Sequence, residues 1–374
     1  MQRRNFLQNL GAGGLAVSFS SFIAPYQFMG NSQDELLPKK LEKGDTIGIV
    51  SPSSAIFETE AYEIAVENFE AMGLKVKLGE FVKNRYGHLA GTDDERANEL
   101  NTMFRDPDVD AVIALRGGSG AARILDKIDY QAIKENPKIF VGYSDITAIH
   151  LAIYSKTGLV TFHAPLAVST WNSFSYSSFR KILFDAEAAI FENPKEKGDN
   201  LTITKNRIRT ITPGVARGKL LGGNLSVLTG IMGSPYFPSN WENKILYLED
   251  VGEQIYAVDR MMSQLQLGGV FVKISGFVFG KCSDCKPGSG YGSLTLEEVI
   301  DHYIKPLNIP AYTGAMIGHI DDNSTIPNGI EAEINSTKGT IQLLQLSGEI
   351  TWANLLRAEN GRKRKVYPAY SGRL

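Results

Sequence analysis

Lys138-Ile-Phe-Val-Gly-Tyr-Ser-Asp-Ile-Thr147 is the stretch on which the rest of the chain turns. Ile139 to Val141 is an apolar run that reads as a buried strand, and Ser144-Asp-Ile-Thr opens an amphipathic segment, Asp145 to Lys156, that reads as a helix. A serine at a sharp strand-to-helix turn is held out of the sheet, beside N–H groups at the positive end of the helix. That setting suits a nucleophile. The sequence around it is not the G-x-S-x-G of common esterases, and the competing reading is that Ser144 N-caps the helix.

Working outward, Thr46 to Val50 reads as a first strand that runs into the loop Ser51-Pro-Ser-Ser54. Glu58 to Met72 has helical periodicity with Gly73 as its C′ residue, and Leu74 to Leu78 is a second strand. Thr92 or Asp93 caps a helix running to about Phe104, and Val109 to Leu115 is a buried strand ahead of Arg116-Gly-Gly-Ser-Gly120. Leu159 to Phe162 follows the Ser144 helix. Strands alternating with helices predict an open, mostly parallel α/β sheet with helices on both faces. Ligands bind such sheets at the C-terminal strand edges, where the 51–54 loop, the Gly117 loop, Ser144 and His163 fall.

The texture changes between Asp185 and Pro213, where Asn193-Pro-Lys-Glu-Lys-Gly-Asp-Asn200 reads as an interdomain crossing. Beyond it the pattern predicts strands at Lys244 to Leu248, Ile274 to Gly280 and Ala315 to Ile317, and helices at Ala257 to Leu267 and Leu296 to Ile304. Short strands at Ile330 to Ile334 and Thr340 to Leu344 close the body. The 374 residues, 43% hydrophobic and 21% charged, fit one very large or two ordinary domains. A formal net charge of -2, with Arg362-Lys-Arg-Lys365 as the sole basic run, argues against a nucleic-acid partner and for a small or neutral substrate. At the N-terminus, Arg3-Arg4 and Phe6-Leu7 precede a mildly apolar stretch, with no acidic residue before Asp34. This resembles a twin-arginine export signal and predicts a periplasmic protein, membrane-anchored if the signal is retained.

A serine needs a general base, and the base an orienting carboxylate. Of five histidines, His150 reads as packed in its helix, His302 as surface and His88 as able to line a cleft. His163 and His319 remain as candidate bases, both at strand ends, with His319 slightly favoured by the Asp321-Asp-Asn323 loop that follows. Glu249 ends an apolar strand, where an acid is unusual unless paired, and Asp250 and Glu253 are rivals. The Gly117 loop lacks the spacing of a nucleotide-binding motif, and its other use is to offer N–H groups to an oxyanion. Cys282-Ser-Asp-Cys285 alone cannot complete a zinc site; it forms a disulfide or stays reduced.

Taken together, Gly44-Asp-Thr-Ile-Gly-Ile-Val-Ser-Pro52, Ala90-Gly-Thr-Asp93 with Arg96, Arg116-Gly-Gly-Ser-Gly120, Val141-Gly-Tyr-Ser-Asp145, Thr161-Phe-His163, Gly218-Lys-Leu-Leu-Gly-Gly-Asn224, Leu248-Glu-Asp250 with Glu253, and Gly318-His319 with Pro327 and Gly329 resemble the LD-carboxypeptidases. These are serine peptidases of family S66 that trim muropeptides, with relatives that give immunity to microcin C. The resemblance implies a catalytic triad of Ser144, Glu249 and His319, with oxyanion donors from the backbone of Asp145 and of Gly117 and Gly118. It implies no cofactor and no metal. Ser119 departs from the aromatic residue many relatives carry in that loop.

The resemblance also implies an architecture: an N-terminal α/β domain (37–186), a linker (187–215) and a C-terminal swivelling β/α domain (216–350), whose closure assembles the triad, usually in a homodimer. Residues 1–36 and 351–374 are then export signal with linker, and tail. The expected reaction is release of terminal D-alanine from a muropeptide tetrapeptide by cleavage of an L,D bond. The alternatives are the same triad on another amide, such as a microcin C-like aminoacyl nucleotide, which needs an aromatic stacking partner (Trp171 or Trp241), or a non-catalytic periplasmic binding protein with Ser144 and His319 far apart.

Overall fold

The computed structural model describes residues 35–288 and 292–344; the proposed export signal and the C-terminal tail lie outside these described residues. The first half alternates as the sequence predicts: β1 (Thr46–Val50), α1 (Thr59–Ala71), β2 (Lys75–Leu78), α2 (Asp93–Arg105), β3 (Ala111–Ala114), α3 (Tyr130–Glu135), β4 (Ile139–Gly142), α4 (Thr147–Thr157), β5 (Thr161–His163) and α5 (Ser173–Leu183). Helix α1 buries Tyr62, Ala65 and Phe69, an i, i+3, i+7 stripe, and stops where Gly73 takes φ 85°. Helix α2 starts at a full capping box in which the Thr92 hydroxyl and the Glu95 carboxylate each accept the other residue's backbone N–H. Helix α4 is buried on nearly every side, so its burial shows no amphipathic stripe.

The second half contains β6 (Ile190–Phe191), β7 (Arg209–Thr212), β8 (Val215–Asn224), α6 (Leu225–Gly230), β9 (Lys244–Val251), α7 (Ile255–Leu267), β10 (Gly276–Ser283), α8 (Leu296–Ile304), β11 (Ala311–Thr313), β12 (Ile326–Asn328), β13 (Glu331–Asn335) and β14 (Thr340–Leu343). Two departures bear on the site. Strand β9 runs three residues beyond the predicted Leu248, so Glu249 and Asp250 are strand residues rather than loop residues. Ala315 to Ile317 is not a strand: β11 ends at Thr313, and Gly314, at φ 95°, turns the chain away.

Two sheets result. One has the order β12-β5-β4-β3-β1-β2, parallel except for β12, which runs antiparallel to β5 with Ile326 opposite His163. The other has the order β6-β14-β13-β8-β9-β10-β11-β7, with a parallel centre from β8 to β11 and antiparallel flanks. The protein is therefore α/β, with an N-terminal parallel sheet and a C-terminal mixed one. The halves interlock: β12 comes from the second half of the chain yet completes the first sheet. Apolar packing is continuous across them, since Ile149 and Ile153 of α4 share a core cluster with Leu221, Leu225 and Leu228. Ser144, Glu249 and His319 all lie within one compact unit.

Candidate active site

The site begins at the end of β4. Tyr143 is extended at φ -150°, and Ser144 then takes φ 65°, a left-handed conformation that costs a non-glycine residue about 1–3 kcal/mol. The turn is tight enough that a Cβ on Gly142 would stand 2.9 Å from Ile146 Cγ2. A 3-10 turn, Ser144–Ile146, precedes α4, and the residue ahead of that turn is Tyr143, so Ser144 does not cap the helix. Its hydroxyl points instead to His319, 2.9 Å from Nε2. The other ring nitrogen, Nδ1, is 2.8 Å from Glu249 Oε2. A carboxylate at Nδ1 fixes the proton on that nitrogen and leaves Nε2 to accept the serine proton.

Each partner is held from behind. Glu249 is fully buried in β9, paired in register with Asn224 at the end of β8. Asn224 N–H in turn donates to Thr147 Oγ1 at 3.0 Å, latching that strand end to the first turn of α4. The carbonyl of His319 accepts from Ser283 Oγ at 2.8 Å. Beyond it, Gly318 N–H donates to Asn323 Oδ1 (3.1 Å), Asn323 N–H donates to Ser175 Oγ (3.0 Å), and Ser175 Oγ donates to the Asp321 carbonyl (2.7 Å). Asn172 of the α5 N-terminus adds a 2.8 Å bond to Asp322. The first half of the chain thus straps the loop that carries His319.

Sequence reasoning missed this strap. Its one visible signal was Ser175 on the buried stripe of α5 shared with Phe179, Ile182 and Leu183, where a serine needs polar partners.

Gly117 lies directly against the serine: a Cβ there would come 2.9 Å from Ser144 Cβ. Gly118, at φ 118°, is pressed onto Ser54, whose Oγ accepts Ser119 N–H at 3.0 Å. The buried Arg96 ties both loops together, donating from Nη1 to the carbonyls of Pro52 (2.6 Å) and Gly120 (2.9 Å). The side chain of Asp145 braces the turn, accepting from Ala121 N–H (2.8 Å) and Ser53 Oγ (2.5 Å). A cavity of about 660 Å³ opens over this arrangement, lined among others by Arg116, Gly117, Gly118, Tyr143, Ser144 and His319. A larger cavity, about 1040 Å³, lies between α5 and residues 189–206 and shares no residue with it.

The remaining candidates separate cleanly. His163 does not face the cleft; it is fully buried in β5, edge-on to Tyr247 and tilted against Tyr143, and among the described residues neither ring nitrogen has a hydrogen-bond partner. Burial, reinforced by His150 and His319, holds its imidazole well below the usual value, so it stays neutral. His150 is packed in α4 as expected, bonded through Nε2 to the Gly142 carbonyl, and burial lowers it to about 4. His302 is exposed on α8, and His88 is exposed and does not line the cavity. Asp250 turns away to Asn224 Nδ2 and Ser226 N–H, and burial raises it to about 6. Neither of the two candidate tryptophans lines the cavity: Trp241 is buried, and Trp171 packs against Phe69 and Phe179. Among the described residues that line the cavity, Tyr143 is the one Phe, Tyr or Trp, its ring centroid 4.8 Å from that of His319. Cys282 and Cys285 form a disulfide.

Comparison with known proteins agrees with this geometry. Residues 47–164 match the LD-carboxypeptidase N-terminal domain and residues 217–334 the LD-carboxypeptidase C-terminal domain. A probable murein peptide carboxypeptidase of Bacillus subtilis (strain 168) is 38% identical over 308 residues, spanning 81% of this chain and 92% of the relative. Among solved structures, the microcin C7 self-immunity protein MccF, in complex with glutamyl sulfamoyl guanosine, superposes with a TM-score of 0.75 at 30% identity, covering 83% of this chain and 99% of MccF. A muramoyltetrapeptide carboxypeptidase from Oxalobacter formigenes gives 0.66 at 28% identity, covering 80% and 97%. The serine–histidine–glutamate contact, the two matched domains and these relatives lead to one conclusion: the chain belongs to the LD-carboxypeptidase family, S66, and is a serine hydrolase.

Proposed function

We propose that Ser144 is the nucleophile, His319 the general base and later acid, and Glu249 the group that orients His319. The observation that carries this reading is the continuous hydrogen-bond chain from Glu249 through His319 to Ser144. Ser144 Oγ attacks an amide carbonyl and passes its proton to His319 Nε2. Backbone N–H groups of Asp145 and of the Gly117–Gly118 loop receive the oxyanion. Protonated His319 gives the proton to the leaving nitrogen, the C–N bond breaks, and an acyl-enzyme remains. Water, deprotonated by His319, then hydrolyses that ester. The alternative of a non-catalytic binding protein required Ser144 and His319 to be far apart, and they are not.

For the substrate, the closer superposition on MccF than on the muramoyltetrapeptide carboxypeptidase favours an aminoacyl nucleotide-like amide. Because neither Trp171 nor Trp241 lines the cavity, the base of such a substrate would meet Tyr143 instead. A second reading, release of D-alanine from a muropeptide tetrapeptide, is supported by the 38% identity to the probable murein peptide carboxypeptidase. The deciding experiment incubates wild type and Ser144→Ala with glutamyl sulfamoyl guanosine and, separately, with muropeptide tetrapeptide, and follows glutamate and D-alanine release. Wild-type turnover of only one assigns the substrate class. Undiminished turnover by Ser144→Ala would overturn the mechanism.

We further infer twin-arginine export to the periplasm from Arg3-Arg4, and a homodimer from the family. Fractionation of an Arg3→Lys/Arg4→Lys variant and the solution mass of the purified protein test these separately.

A further inference from the structure

We propose that Arg116 is the anion-binding residue of the cavity and selects substrates whose leaving group is negatively charged. The inference rests on the reading of Ser144 as the nucleophile and deepens it. Arg116 lines the same 660 Å³ cavity as Ser144 and His319 and immediately precedes Gly117, whose Cα packs against Ser144. Its guanidinium is partly exposed and donates from Nη1 to the Ala55 carbonyl at 3.1 Å. That single anchor holds the fork at the cavity wall, and Ala55 is itself fixed by its N–H to the His88 carbonyl at 2.9 Å.

Among the described residues no carboxylate pairs with Arg116, whereas the buried Arg96 is paired with Asp93 and the exposed Arg123 with the same aspartate. The acids on the cavity wall, Glu58 and Asp321, form no ion pair with it. Among the described residues that line the cavity, Arg116 is the one Lys or Arg side chain. An unpaired planar fork of this kind matches a carboxylate or another oxyanion bidentately.

Both substrate classes carry such a group near the scissile nitrogen. A terminal D-amino acid places a carboxylate two bonds from it, and an acyl sulfamate places an acidic N–SO₂ group on it. The shared chemistry is an anion on the departing fragment, and Arg116 reads that charge in either case.

The test compares a muropeptide tetrapeptide with a free C-terminal carboxylate against its C-terminal amide, for wild type, Arg116→Gln and Arg116→Lys. Wild type should favour the acid by about 10- to 100-fold in kcat/KM, the strength of a charge-assisted bond. Arg116→Gln should bring that ratio close to one, and Arg116→Lys should restore part of it. Fluorophosphonate labelling of Ser144 should persist in both variants. Equal wild-type rates on acid and amide would overturn the inference while leaving the serine mechanism standing, as would an unchanged ratio in Arg116→Gln. Loss of labelling in both variants would also overturn it, by showing that Arg116 supports the site itself. If wild type cleaves neither peptide, the muropeptide reading fails, and the same variants are compared for binding of glutamyl sulfamoyl guanosine. A tenfold or greater loss of affinity in Arg116→Gln would then support the inference, and unchanged affinity would overturn it.

Discussion

Gly318 touches Glu249 where no other residue could: a Cβ at position 318 would stand 2.9 Å from Glu249 Oε2 and 3.0 Å from its Cβ. At φ 126° the backbone there is also outside the range other residues adopt. The absence of a side chain therefore lets the buried carboxylate approach the imidazole one residue later. Gly318→Ala should push His319 away from both partners. A displacement of about 1 Å in a catalytic group costs on the order of 100-fold in rate. The expected outcome is that loss in kcat with KM changed less than threefold, measured by steady-state kinetics. A variant with unchanged kcat would show that the contact is incidental.

Among the described residues, the Glu249 carboxylate makes one hydrogen bond, through Oε2, and its Oε1 has no partner. A buried carboxylate left half satisfied is tolerated where it orients or stabilises another charge. Glu249→Gln keeps the shape but can present an N–H to Nδ1, which favours the tautomer that blocks Nε2 as an acceptor. kcat should fall by about 10³-fold or more while the melting temperature stays close to wild type, because no charge is then buried. Kinetics beside thermal unfolding check this. A fall in stability without a fall in kcat would return Glu249 to a structural role.

The nucleophile turn and the parallel sheet were legible because local chemistry dictates them: short apolar runs, glycines at the turns and caps such as Thr92. Local sequence favoured His319 over His163 only slightly, and it was the family resemblance that singled out His319. Both follow short apolar segments, and what separates them is the packing of Tyr143, just beyond β4, and Tyr247 of β9 against His163, which brings together residues from the two sheets. Local sequence likewise left Asp250 and Glu253 as rivals of Glu249, and the resemblance, not local chemistry, chose Glu249. Adjacent residues on a strand point to opposite faces, and only the assembled sheets show which face meets His319. Strand β12 escaped notice because Pro327 sits in the middle of its three residues. Proline is accommodated there because β12 is an edge strand with one bonded side.

Ser175 supports the site from a distance. Its hydroxyl accepts Asn323 N–H and donates to the Asp321 carbonyl, and it is completely buried. Ser175→Ala leaves both backbone groups without that partner, a loss of about 1–3 kcal/mol for buried polar groups. Because these groups belong to the loop that begins at His319, kcat should also fall, by about tenfold. Denaturant unfolding and kinetics on the same preparation test the two effects together. A drop in stability with kcat intact would show that the loop holds His319 without the strap.

Glu99 sets a stability prediction independent of catalysis. Its carboxylate is buried against Gly79 and accepts Ser51 N–H (2.8 Å) and Phe81 N–H (2.7 Å). Burial outweighs those bonds and raises its pKa from 4.5 to about 7. Between those values the unfolded chain gives up the proton while the folded chain keeps it. The stability associated with this group is therefore complete below pH 4.5 and is lost as pH rises through 7, a change of about 3 kcal/mol. Glu99→Gln cannot ionise, so whatever fixed offset its amide introduces, the stability of the variant relative to wild type should improve by about that amount between pH 4 and pH 8. Urea unfolding of both proteins across this range measures it. A difference that does not change with pH would mean that Glu99 ionises in the folded protein as it does in the unfolded chain.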